Sequence, residues 1–111
     1  MSVPPLLTEV APGFAAALEA GLREDGEIGL PEQVPALRIV ALCGCNDDFC
    51  GSFYTAPSEE RTTGKDLDTT PLNASTGNNI VAVDTTDGQI VYVEVIDDGA
   101  LRAMLKEAGI V

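Results

Sequence analysis

There is no histidine and no tryptophan in these 111 residues, and only six lysines and arginines. Each absence narrows the field. Without histidine the chain lacks the side chain best suited to general acid–base work near neutral pH. The six cations (Arg23, Arg38, Arg61, Lys65, Arg102 and Lys106) are dispersed. No basic patch can be drawn from them, which argues against a nucleic-acid partner, since phosphate binding needs clustered cations that displace counterions. An anionic membrane surface would repel the chain for the same reason. No stretch approaches the roughly 18 apolar residues of a bilayer span. The first ten residues lack a positive n-region, and Pro4-Pro5 interrupts any apolar h-region. No signal peptide is read there, and a cytoplasmic location is expected. Aromatic residues make up only 5% of the chain, so the core must be built mainly from Val, Leu, Ile and Ala.

What the chain has instead is acid. Eighteen aspartates and glutamates set the formal net charge at −12. Like-charge repulsion on that scale favours solubility, and it favours a basic protein partner over an acidic one. With 45% hydrophobic residues and this length, a single domain over residues 1–111 is expected.

Apolar residues recur at helical spacing near the N-terminus: Val10, Phe14, Ala17, Leu18, Gly21 and Leu22 fall on one face. Pro12 suits the first turn, and Gly26 a stop. A short helical turn over 6–9 precedes this helix, and residues 27–35, with Gly29, Pro31 and Pro35, read as a linker. Residues 37–43 are apolar on both parities, as a central strand covered on both sides would be. A bend and a second strand over 49–55 follow. Residues 56–79 read as a long polar loop, of a length that belongs to mobile or functional segments.

The last third is the most regular. Residues 79–84 and 89–96 flank Asp87-Gly88, a dipeptide favoured in two-residue hairpin turns. Plain pairing around that turn sets Thr86 opposite Gln89, Val83 opposite Tyr92 and Val81 opposite Glu94. One face then carries Val91, Val93 and Val95, and the other Val81, Val83 and Ile90. Both are too apolar for water, so a helix or a second copy of the chain, giving a homodimer, should cover the extra face. Asp97-Asp98-Gly99 leads into a helix with Leu101, Met104, Leu105 and Ala108 on one stripe, where an aspartate would cap the free N–H groups. The fold class expected is α+β: a mostly antiparallel four-stranded sheet from two hairpins, in the order α-β-β-β-β-α, with an N-terminal and a C-terminal helix packed on it.

One cluster carries chemistry. Cys43, Cys45 and Cys50 lie within eight residues, with Asp47 and Asp48 between them. An odd number of cysteines so closely spaced is not a secreted disulfide framework. Three readings stand. The cysteines are small buried packing residues. Alternatively, they are thiolate ligands of a zinc ion, with Asp47 or Asp48 completing the shell, although C-x-C-x4-C is not a common knuckle spacing. Or they are redox thiols, against which stand the two carboxylates and the lack of any cation between Arg38 and Arg61. No catalytic residue is nominated. Ser52 and Tyr54 have no visible base, and Asp84-Thr85-Thr86-Asp87-Gly88 serves better as a turn than as a calcium loop. The function expected is non-enzymatic binding, through the bend over 46–54, with Asn46 and Tyr54 at its ends, and the adjoining loop.

Overall fold

The computed structural model describes residues 3–24, 26, 28–42, 50–56, 67–71, 80–86, 88–96 and 99–110. The N-terminal stripe forms two helices, α1 (Leu7–Val10) and α2 (Pro12–Glu24), with Pro12 opening the second. Ala15, Leu18, Gly21 and Leu22 are buried along α2, and Gly26, at φ 76°, turns the chain away. The segment read as a linker contains a 3₁₀ helix (Pro31–Ala36). Pro31 fixes φ at its first position, and Pro35 denies the N–H that a longer α-helix would need.

Five strands follow: β1 (Ala41–Leu42), β2 (Phe53–Tyr54), β3 (Leu67–Pro71), β4 (Ile80–Thr86) and β5 (Gln89–Ile96); α3 (Gly99–Glu107) ends the order. They form one sheet in the order β1-β2-β5-β4-β3, and every neighbouring pair is antiparallel. The architecture is the α+β class expected, with two corrections. Part of the supposed long loop, residues 67–71, is a fifth strand paired to β4. Its sequence, Leu-Asp-Thr-Thr-Pro, has neither the alternation nor the apolar content of a buried strand, and Pro71 suits a sheet edge. The apolar stretch 37–43 is not central either. Its described part lies at the opposite edge, and Pro5 to Leu7 runs beside it through Ile39 N–H to Pro5 O (2.9 Å) and Leu7 N–H to Leu37 O (2.9 Å). Leu37 and Ile39 are buried in the core, Leu42 packs against it, and Val40 and Ala41 are half-buried.

A bulge decides which way the β4–β5 hairpin faces. Thr86 lies opposite Gln89 and Thr85 opposite Ile90, as plain pairing requires, but Asp84 lies opposite Tyr92. Val91 is thus the extra residue on β5, and beyond it every pair shifts by one. Val83 meets Val93, not Tyr92, and Val81 meets Val95, not Glu94. The shift gathers Val81, Val83, Ile90, Val93 and Val95 into one buried cluster with Phe53. The other face carries Ala82, Asp84, Tyr92 and Glu94.

All the helices contribute to that one cluster. Phe14 of α2 meets Phe53 edge to face at 6.2 Å, and Leu101 and Leu105 of α3 are fully buried. Each such side chain stabilises the fold by about 1.5–3 kcal/mol through burial. The stripe on α3 is rotated from expectation: Arg102 is buried, whereas Met104 is 42% exposed. The aspartates expected to cap α3 lie outside the described residues. At its other end, Ile110 N–H reaches Leu105 O (3.2 Å), Gly109 N–H reaches Lys106 O (3.0 Å), and Gly109 sits at φ 85°. This is a Schellman cap, with Ile110 and Leu105 both in the core. None of the described helices is long and apolar enough to cross a membrane.

One side chain ties the 3₁₀ helix to the hairpin. Gln33 Nε2 donates to Gly88 O (2.7 Å) and Gly29 O (3.1 Å), and its Oε1 accepts the Ile90 N–H (2.9 Å). Its amide thus acts as a rung of the ladder. Gln33→Ala leaves the partly buried Ile90 N–H without that rung and should lower stability by about 1–2 kcal/mol. The expected reading is a lower urea midpoint at unchanged m-value, with faster hydrogen exchange at Ile90.

Candidate functional site

Of the residues nominated from the sequence, Cys43, Cys45, Asp47 and Asp48 lie outside the described residues, as does Asn46. Cys50 is described. Its thiol is free and half-buried, and its carbonyl accepts a hydrogen bond from Arg102 Nη1 at 3.1 Å. Among the described residues no three acidic or cysteine side chains converge as metal ligands would. Because four of the five nominated ligands lie outside that set, the zinc expectation rests on the sequence alone.

Arg102 is the residue that the sequence reading missed. No cation is near the cysteines in the chain, yet the fold carries one to Cys50 from α3. Arg102 is buried, with 7% of the residue exposed, and its Nε has no hydrogen-bond partner among the described residues. A signal was present: Arg102 adjoins Leu101 and precedes Leu105 by three, on the apolar side of the helix.

Ser52, two residues beyond Cys50, has a structural task. It is 1% exposed; its Oγ accepts the Val95 N–H at 2.8 Å and donates to the Val95 carbonyl at 3.2 Å. Gly51 N–H reaches the same carbonyl at 3.0 Å. The hydroxyl therefore stands in for a backbone group where β2 runs out beside β5, and it is not placed as a nucleophile.

The sheet's outer face holds a second grouping. Ala41, Tyr54, Tyr92, Asp84 and Thr69 are successive cross-strand partners over β1, β2, β5, β4 and β3. The rings of Tyr54 and Tyr92 lie 4.6 Å apart, tilted by 45°. Thr69 Oγ1 donates to Asp84 Oδ1 at 2.7 Å, which fixes that carboxylate beside the aromatic pair. Glu94 lies two residues along β5 on the same face, half-buried like Asp84 and the tyrosines. The bulge makes this row, since plain pairing would have set Tyr92 against Val83. Asp84 is thereby placed on a strand facing an aromatic ring, and not in a calcium loop.

Compared with known proteins, the chain matches no family model, no curated protein and no solved structure. The side chains must therefore carry the functional argument.

Replacing Ser52 by alanine removes the hydroxyl that accepts the buried Val95 N–H. The expected cost is about 1–3 kcal/mol, read as a lower thermal midpoint, with Val95 among the amides whose exchange accelerates most. An unchanged midpoint would mean that another group takes over the Val95 N–H.

Proposed function

We propose that this protein is a non-enzymatic binding module that takes a basic partner on the outer face of its sheet, at the Tyr54–Tyr92 pair. Tyr54 closes the bend singled out in the sequence, which joins the two readings at one residue. The supporting observation is the cross-strand row in which two tyrosines in ring contact sit next to the anchored carboxylate of Asp84, with Glu94 alongside. A lysine or arginine side chain meets complementary charge there and an aromatic face for its cation, an interaction of about 0.5–2 kcal/mol. The net charge of −12 adds long-range attraction, which raises the association rate more than it sets the final affinity.

Diffuse attraction to an acidic surface would also draw in a cationic peptide, so the test has to separate the two. A fluorescent peptide of alternating lysine and alanine is titrated at physiological salt against four forms of the protein. These are the parent, Tyr54→Leu/Tyr92→Leu, Asp84→Asn and, as a remote control on α2, the exposed Glu24→Gln. The double tyrosine variant and Asp84→Asn should each weaken binding about three- to thirtyfold, while Glu24→Gln changes it less than twofold. Equal, small losses for all variants would reduce the attraction to net charge and overturn the assignment of the site.

A further inference from the structure

A cleft of about 260 Å³ opens where the 3₁₀ helix meets the hairpin, lined by Gln33, Ala36, Leu37, Arg38, Thr55, Gln89 and Ile90. Its floor is apolar, since Leu37 and Ile90 are 7% and 4% exposed and belong to the core. Much of its polar lining is already engaged. Gln33 is held by Gly29, Gly88 and Ile90, and Thr55 Oγ1 donates to the Ile90 carbonyl at 2.8 Å.

Arg38 is the exception. Its Nη1 donates to the Pro4 carbonyl at 2.7 Å, which fixes the guanidinium at the rim while its remaining N–H groups have no acceptor among the described residues. Acidic residues outnumber basic ones by eighteen to six in this chain. Even so, the one ion pair among the described residues is Arg23 with Glu19, and Arg38 is anchored by a neutral carbonyl. A guanidinium carries five N–H donors in a fork that matches a carboxylate.

From this geometry we infer that the cleft binds a small monocarboxylate with a compact apolar body: the carboxylate on Arg38, the body on Leu37, Ala36 and Ile90, and the Gln89 amide at the side. The volume equals about eight or nine waters of liquid, enough for roughly ten non-hydrogen atoms and too little for a nucleotide. The site is separate from the tyrosine row, and the inference does not depend on the binding of a basic partner there.

Two probes of matched shape test it. Phenylacetate and its neutral counterpart phenylacetamide are titrated into the ¹⁵N-labelled full chain at constant ionic strength, and amide shifts are followed. Phenylacetate should give saturable shifts centred on Leu37, Arg38, Gln89 and Ile90, and phenylacetamide should bind at least tenfold more weakly. Arg38→Gln should weaken phenylacetate at least tenfold, and Arg38→Lys, which keeps the charge but loses the fork, should fall between. If Arg38→Gln disturbs the fold, the lysine variant and the neutral probe still decide. Equal response to the two probes, shifts centred elsewhere, or full affinity in Arg38→Gln would each overturn the inference.

Discussion

The extra residue at Val91 governs what the rest of the sheet can do. Side chains on a strand alternate with a period of two, so one inserted residue reverses every face beyond it. β4 and β5 each hold two runs of apolar residues on opposite parities, and no straight pairing could bury both. The bulge brings Val81 and Val83 to the side of Val93 and Val95, and it leaves the other side to Tyr92, Asp84 and Glu94. It makes a one-sided core possible with three α-helices and the 3₁₀ helix on it, and it creates an outer surface with chemistry of its own. Bulges re-aim side chains in this way wherever a strand must serve two neighbours at once.

Strong local patterns made much of the fold legible. The α2 stripe, the hairpin turn at Gly88 and the presence of a strand and a helix at the C-terminal end all concern residues that are close in sequence, where periodicity and turn chemistry dominate. The parts that escaped depend on distant partners. β3 is polar and follows no strand pattern, and it forms because β4 offers an open ladder. The apolar stretch before Cys43 reads as central, but its neighbour on one side is Pro5 to Leu7, some thirty residues away, and not another strand of the sheet. The bulge leaves no local mark: nothing at Val91 differs from a plain strand residue, and only the demand for a single core reveals it.

The same split applies to the candidate sites. Tyr54 stood out in the sequence through its neighbours, but its pairing with Tyr92 follows from register. Arg102 could be placed beside Cys50 only by folding, because 52 residues separate them. Arg38 looked like one dispersed cation among six. What distinguishes it is its setting, a cleft with a neutral anchor in a chain rich in carboxylates that could have paired with it.

The Gln33 amide has a consequence for how the molecule comes apart. It links residues 55 and 57 positions away, so it forms only when both the 3₁₀ helix and the hairpin turn are in place. Loop closure over that distance is an entropic obstacle that local helices do not face. Once made, the link gives the two segments a shared opening event, because neither can detach without breaking it. The layer of helices and the end of the sheet are thereby joined into one cooperative unit, and their exchange rates should rise and fall together.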